Sequence, residues 1–167
     1  MTAQIIEFLK QTFSQETVVL IVSALPISEL RGGIPLALSF GFSYAKAFWL
    51  SVLGNSIIII PTLLLLDIVS KFLMRWNIFN RFFTWLFART RKHSDSVEKY
   101  GAIGLAIFVA IPLPMTGAWS GCVAAYLFGI KFRYALPSVF LGVIGAGVIV
   151  LLTCMGFIGI FSKFVGG

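Results

Sequence analysis

Two long uncharged stretches constrain the fold of this chain more than any other feature of its sequence. Residues 47–66 and residues 134–162 contain no charged side chain. A helix needs about 20 consecutive apolar residues to cross the hydrocarbon core of a bilayer, so each stretch is long enough to span one. Of the 167 residues, 59% are hydrophobic and 11% are charged. A soluble domain of this length has too little interior to bury so much apolar surface.

We therefore expect an all-α integral membrane protein with a single membrane domain covering 1–167. This class excludes a soluble enzyme, a secreted scaffold and a DNA-binding domain. Cys122 and Cys154 lie inside apolar stretches, and His93 lies in a charged segment. None of them has the spacing of metal ligands, so the sequence predicts no metal site and no cofactor.

Two further apolar stretches, at 17–42 and 100–130, are interrupted by proline and glycine. Neither arm of either stretch reaches the length of a spanning helix, so each stretch is expected to form a re-entrant or broken helical hairpin. Proline removes a backbone donor and glycine lets helices approach closely, which leaves exposed helix ends at such a break. The predicted break residues are Pro26, Gly32, Gly33, Pro35, Pro112, Pro114, Gly117 and Gly121.

Both halves of the chain carry the same pattern 88 residues apart. The coincidences fall on residues that break helices: Pro26 with Pro114, Gly33 with Gly121, Gly41 with Gly129, and Gly54 with Gly142. Repeat one covers about 17–70 and repeat two about 100–163, each a hairpin followed by one spanning helix. A hairpin returns to its own side and the helix crosses once, so the repeats must have inverted topology. Broken segments at corresponding positions of such repeats point to a substrate site near the bilayer midplane.

The segment between the repeats, at about 71–99, holds seven of the thirteen basic residues, interleaved with aromatic residues. Such a pattern is typical of an amphipathic helix lying in the membrane interface. The positive-inside rule places it in the cytoplasm, with both termini outside, in a multi-pass protein of a bacterial or archaeal inner membrane. Because the cations are explained by topology, nucleic acid is not an expected partner; membrane lipids are.

Glu29 and Arg31 are the charged residues of the two broken hairpins. A charge at the bilayer centre costs about 2.5–3.5 kcal/mol even on the lenient insertion scale, so it needs a purpose. One hypothesis is a mutually neutralising pair in an extended tip. The other gives Arg31 the role of anchoring an anionic headgroup, because its planar fork suits phosphate or carboxylate, and gives Glu29 the role of carrying a proton.

Three further residues complete the predicted site. Trp119 aligns with Arg31 in the 88-residue register and either lines the same cavity or packs against the first hairpin. Thr116 lies in the second break, and Asn55 either lines a cavity or bonds another helix. On the last helix, Ser138, Gly142 and Ala146 form a stripe of small residues, which packs within the chain or in a homodimer.

The motifs at 29–35 and 112–121 resemble the two signature motifs of the bacterial and archaeal small multidrug export protein family. The resemblance covers nearly the whole chain, and the family is similar to the DedA (SNARE-associated, VTT) superfamily, which carries paired re-entrant hairpins. The name of the family implies drug export. The similarity to the DedA superfamily implies proton-linked physiology, lipid scrambling and polyprenyl phosphate recycling. The chain departs from the DedA pattern because residues 110–112 contain no arginine.

The sequence thus favours a small secondary transporter that moves an amphipathic anion, such as a lipid or polyprenyl phosphate, with coupling to protons. An alternative is efflux of cationic drugs, which needs a membrane-embedded acid such as Glu29, although Arg31 beside it repels a cation. A second alternative is a membrane assembly protein that transports nothing. An enzyme is not expected, because no His, Cys or carboxylate pair stands at the breaks.

Overall fold

The computed structural model describes residues 13–73, 94–113 and 116–165, and within these ranges it is helical, without strands. We number the helices in chain order. They are α1 (Gln15–Ala24), α2 (Glu29–Ser39), α3 (Tyr44–Ile57), α4 (Ile59–Leu73), α5 (Ser94–Ala110), α6 (Ala118–Leu127) and α7 (Phe132–Val165). Most of the predicted amphipathic linker, at 74–93, and the predicted break residue Pro114 lie outside the described residues.

Two helical segments are long and apolar enough to cross a membrane, as the uncharged stretches predict. They are Tyr44–Leu66, formed by α3 and α4, and Phe132–Phe157 in α7. The first segment is interrupted at Ile58, because Pro61 has no N–H to offer the carbonyl of Ile57. Large apolar side chains on the outer faces of these helices are exposed, as a lipid-facing surface requires. They include Trp49, Leu53, Ile57, Leu64, Leu141, Leu152 and Phe157.

Short helices flank both predicted breaks. Helix α1 ends before Leu25, which is extended because Pro26 follows it, and α2 begins only four residues later at Glu29. The chain is also non-helical at 111–113 and 116–117, between α5 and α6. Both breaks are shorter than the sequence suggested. Four of the predicted break residues lie inside helices instead: Gly32, Gly33 and Pro35 in α2, and Gly121 in α6.

Gly33 and Gly121 lie inside helices at positions where two helices pack too closely for a side chain. A side chain at Gly33 would collide with the hydroxyl of Ser23 and crowd that of Ser51, and one at Gly121 would collide with Val109. The backbone of α2 can therefore approach α1 and α3 closely.

Helices α2 and α6 end in the same backbone motif, 88 residues apart. Gly41 has φ 81° and Gly129 has φ 66°, a left-handed conformation that glycine adopts without strain. The chain reverses after each glycine through the same hydrogen bond, from Phe42 N–H to Ala37 O (3.2 Å) and from Ile130 N–H to Ala125 O (2.9 Å).

The packing of helices also corresponds between the halves. Helix α1 packs on α3 as α5 packs on α7, and α2 contacts α7 of the other half while α6 contacts α4. Gly54 lies against the backbone of Leu20, and Gly142 lies against Ala106 and Val109. Gly142, the central residue of the predicted stripe of small residues on α7, thus packs on α5 within the chain. The main core lies between the halves and includes Ile34, Val52, Ile59, Val109, Ala118, Cys122, Val139 and Val143.

Candidate functional site

The two breaks meet through reciprocal hydrogen bonds to backbone carbonyls. The Nη2–H group of Arg31 donates to the carbonyl of Thr116 in the second break. The Nε1–H group of Trp119 donates to the carbonyl of Ala24, at the end of α1, over 3.1 Å. Arg31 and Trp119 occupy equivalent positions in the 88-residue register, so each half reaches into the break of the other.

Glu29 lies between the halves at the beginning of α6. Its side chain is 8% exposed, and its carboxylate accepts hydrogen bonds from the backbone N–H groups of Ala118 and Trp119. The N-terminus of a helix favours a negative charge, since its first N–H groups have no partner within the helix. Gly117 makes room for this contact, because any side chain there would overlap the Glu29 carboxylate.

The backbone of Glu29 is strained. Among the described residues it is the one non-glycine residue with positive φ, at 44°. Such a conformation costs on the order of 1–3 kcal/mol and persists where surrounding contacts enforce it, often at functional sites. The bond between its carboxylate and α6 supplies such a contact.

Glu29 and Arg31 therefore both turn towards the second break. The ion pair found in the described part of the chain joins Lys46 of α3 to Glu16 of α1 over 2.8 Å and includes neither residue. Glu29 and Arg31 lie in the first turn of α2, which is a helix and not the extended tip that the sequence suggested. Arg31 contacts the backbone carbonyl of Thr116, and Glu29 contacts the backbone N–H groups at the beginning of α6.

Thr116 contributes its backbone to Arg31 and uses its side chain locally. Its hydroxyl accepts from the N–H of Leu113 over 2.9 Å and lies 2.6 Å from the carbonyl of Ile111. These bonds shape the turn before α6, so the side chain of Thr116 maintains the break.

Two cavities adjoin this junction. The outer one is a cleft of ≈ 200 Å³ lined by residues of both breaks, among them Pro26, Ser28, Glu29, Arg31, Thr116 and Trp119. The inner one is a chamber of ≈ 10 Å³ deeper in the protein, which Asn55 and Pro112 line together with Glu29, Arg31 and Thr116. Because these last three residues face both spaces, they form a wall between the cleft and the chamber.

Residues 88 positions apart line the same space in both cases. The pairs are Ser28 with Thr116 and Arg31 with Trp119 in the cleft, and Glu29 with Gly117, Leu30 with Ala118 and Asn55 with Val143 in the chamber. In every chamber pair the first half supplies the polar or larger residue.

Several buried polar side chains have no hydrogen-bond partner, and one of them, Asn55, lines the chamber. In the described ranges, neither polar atom of Asn55 has a hydrogen-bond partner, and the same holds for the hydroxyls of Ser23 and Ser51. Sequence reasoning missed the two serines. The 88-residue register contained a signal for them, because their equivalents are the apolar residues Ile111 and Val139. Within the same ranges, no three His, Cys, Asp or Glu side chains gather as metal ligands would.

Within the described ranges the chain is helical, and two of its helical segments are long and apolar enough to cross a membrane, which is typical of helical membrane proteins. Comparison with protein families makes this more specific. The model of the family described as "Putative small multi-drug export protein" matches residues 29–149. The chain therefore belongs to this export family, as its two motifs predicted. The match begins at Glu29, directly after the first break, and includes the second break. No curated protein and no solved structure matches the chain.

Proposed function

We propose that the protein is a small secondary transporter that exports amphipathic molecules with an anionic headgroup, of which a lipid phosphate or polyprenyl phosphate is the best example. The single observation that carries this proposal is the cleft between the breaks, where the guanidinium of Arg31 and the indole of Trp119 line one space. A guanidinium matches the geometry of phosphate and carboxylate, and an aromatic ring suits an adjoining apolar group.

The hydrogen bonds at the wall favour an anion over a cation. The carboxylate of Glu29 already accepts two backbone N–H groups, which lowers its capacity to bind a cationic substrate. The bond from Arg31 to Thr116 engages one of the five N–H groups of a guanidinium. An incoming anion can therefore bind Arg31 without first breaking a salt bridge.

The size of the cleft favours a headgroup over a whole molecule. Pockets that enclose a drug-sized ligand measure about 300–1,000 Å³, whereas this cleft measures ≈ 200 Å³. Its rim carries Ile27, which is 87% exposed. A phosphate or carboxylate in the cleft with its tail along the apolar rim and the bilayer satisfies both observations.

The membrane arrangement that we propose places the breaks near the midplane. Helices α1, α2, α5 and α6 are each 17 residues or shorter, so we assign each pair to a re-entrant hairpin that returns to its own side. The long helix after each hairpin crosses once, which gives the halves inverted topology. Glu29, in the wall between the spaces, is then the residue placed to couple export to a proton.

Efflux of cationic drugs is the second candidate function, and the family description favours it. In that case Glu29 is the substrate-binding residue, and the substrate displaces the N–H groups of α6. Both functions use the same cleft, so the charge of the substrate decides between them.

The test is transport by the purified protein in proteoliposomes, with two fluorescent amphiphiles of equal chain length, one an alkyl phosphate and one a quaternary ammonium. We expect uptake of the phosphate, and a loss of about tenfold or more in Arg31→Gln, equivalent to about 1.4 kcal/mol of binding free energy. Arg31→Lys keeps the charge without the fork and should also be impaired. Arg133, an exposed residue in α7 that contacts Tyr134, provides the control variant Arg133→Lys, which should transport normally. Transport of the ammonium compound alone would replace this proposal by the second candidate.

A further inference from the structure

The inner chamber has a chemical asymmetry that the packing of the helices does not require. Asn55 lines it from α3 and Val143 lines it from the equivalent position of α7. Both side chains are 1% exposed. Because valine fills this position in the second half, an apolar residue of similar size satisfies the architecture there. The amide in the first half therefore has a role other than packing.

An amide that is buried without partners calls for a ligand. Neither the Nδ2 nor the Oδ1 atom of Asn55 has a hydrogen-bond partner in the described ranges, and native proteins satisfy nearly all such atoms with protein, water or an ion. The chamber measures ≈ 10 Å³, about the space that one water molecule needs. Glu29 and Arg31 also face it, so a water there has the several polar partners that a buried water requires.

We propose that the chamber binds one water molecule between the amide of Asn55 and the carboxylate of Glu29, and that this water gives Glu29 a proton-exchange partner on the inner side of the wall. Asn55 is then a positioning residue that acts through the water. The water site rests on the chamber alone, whereas its part in proton exchange rests on the proposed transport function.

The charges around the chamber favour water over a small cation. The guanidinium of Arg31 lines the chamber, and the carboxylate of Glu29 receives two N–H groups from α6. Within the described ranges, the thiol of Cys122 on α6 is a further titratable group near Glu29. Helices α3 and α7 contribute Asn55, Val143, Ala146 and Val150 to the chamber, none of which titrates.

The water is tested by solid-state NMR of the full chain in proteoliposomes, with ¹⁵N-labelled asparagine side chains. We expect magnetisation from water to reach the side-chain amide of Asn55, whose signal is assigned by its loss in Asn55→Val. An Asn55 amide that receives magnetisation from protein protons alone would overturn the proposal. So would a rise in thermal stability with sodium but not with potassium or choline, because that result indicates a bound cation.

The exchanged variant Asn55→Val/Val143→Asn separates a water site from simple packing. It moves the amide to the equivalent position and keeps the composition of the chamber. We expect Asn55→Val to lower the midpoint of thermal unfolding and to flatten the pH dependence of transport, and the exchanged variant to recover the water signal and the pH dependence. A more stable Asn55→Val protein with an unchanged pH profile would refute the inference. If the wild type transports no amphiphile, the proposed function is wrong. The NMR signal from water still shows whether the chamber binds a water molecule.

Discussion

Gly117 is the residue on which the junction depends most closely. Its φ of 162° is extended backbone that any residue adopts, so the requirement for glycine is one of space. A methyl group there would overlap the carboxylate of Glu29 and separate it from the N–H groups of α6. We expect Gly117→Ala to destabilise the protein by about 2 kcal/mol, as overpacking in a filled site does, and to abolish transport. Thermal unfolding in detergent measures the first effect.

A matched control is Gly104→Ala, in α5. A methyl group at this position meets no atom within 4 Å, and alanine is favoured over glycine in a helix by up to about 1 kcal/mol. This variant should be as stable as the wild type or more stable. Equal losses of stability in Gly104→Ala and Gly117→Ala would show that the contact with Glu29 is not what matters.

At the scale of the residue, the sequence points to Glu29 and Arg31 but does not give their partners. Glu29 and Arg31 stand out because a charge in an apolar hairpin is costly. Their contacts with Ala118 and Thr116 could not be read from the sequence, because they join residues more than 80 positions apart in the chain. The 88-residue register contained a hint, since it aligns the Glu29 side chain with the absent side chain of Gly117.

Among the elements, each long helix approaches the backbone of the short helix beside it closely at one glycine. A methyl group at Gly54 would lie 2.5 Å from the carbonyl oxygen of Leu20, and one at Gly142 would lie 2.8 Å from that of Ala106. Backbone cannot move aside as a side chain can, so we expect Gly54→Ala and Gly142→Ala to lower stability by about 1–3 kcal/mol each. Gly156→Ala, in open space on α7, is the control and should cause no loss in the same unfolding experiment. Tolerance of both substitutions would contradict this packing.

The beginnings of α1 and α3 are joined by an ion pair that predicts a pH effect. Glu16 lies outside the two spanning segments, and its hydrogen bond with Lys46 lowers the pKa of its carboxyl below the usual 4.5. The contribution of this pair to stability is therefore complete above pH 4.5 and is lost as the pH falls through the lowered pKa. We expect carboxyl ¹³C NMR of the labelled protein to show Glu16 titrating below 4.5, and Lys46→Met to raise its pKa. Arg133→Met is the control, and an equal shift in that variant would show that Lys46 is not the cause.

The elements themselves were predictable to different degrees. The uncharged stretch 47–66 corresponds to the segment Tyr44–Leu66, because length without charge is a signal that tertiary structure does not alter. The extent of the breaks was not predictable. Gly32, Gly33 and Pro35 read as helix breakers, yet they lie in α2, where contacts with α1 and α3 outweigh their low helix propensity. The low helix propensity of a residue therefore does not end a helix where its small size allows two helices to pack closely.

For the whole molecule, the notable feature is that similar halves provide different chemistry. Both end their second helix in the same glycine turn, and both pack a glycine of the long helix on the first of the two short helices that precede it. The charged and amide groups at the junction nevertheless come from the first half. A scaffold of equivalent halves places two breaks face to face, and a substitution in one half then changes the site without a loss of the architecture.

The orientation of the molecule in the membrane is the remaining prediction. Each half crosses once if its hairpin returns, so two crossings place both termini on one side and the central segment 71–99 on the other. The central segment and the turn at 131–133 hold nine of the thirteen basic residues, which predicts a cytoplasmic location for both. The measurement is labelling of single cysteines at Ser94 and Gly167 with an impermeant maleimide, in a background that carries Cys122→Ala and Cys154→Ala.

We expect the cysteine at position 167 to react in intact cells and the one at position 94 to react only in inverted vesicles, because the reagent does not cross the bilayer. A variant is scored only if it retains the thermal stability of its background, which ensures that a folded protein is labelled. Reaction of both positions from the same face would mean that the chain between them crosses the membrane an even number of times. The second hairpin would then not return to its own side, or α7 would not cross, and either result would contradict the proposed inverted halves with Glu29 and Arg31 at a junction between them.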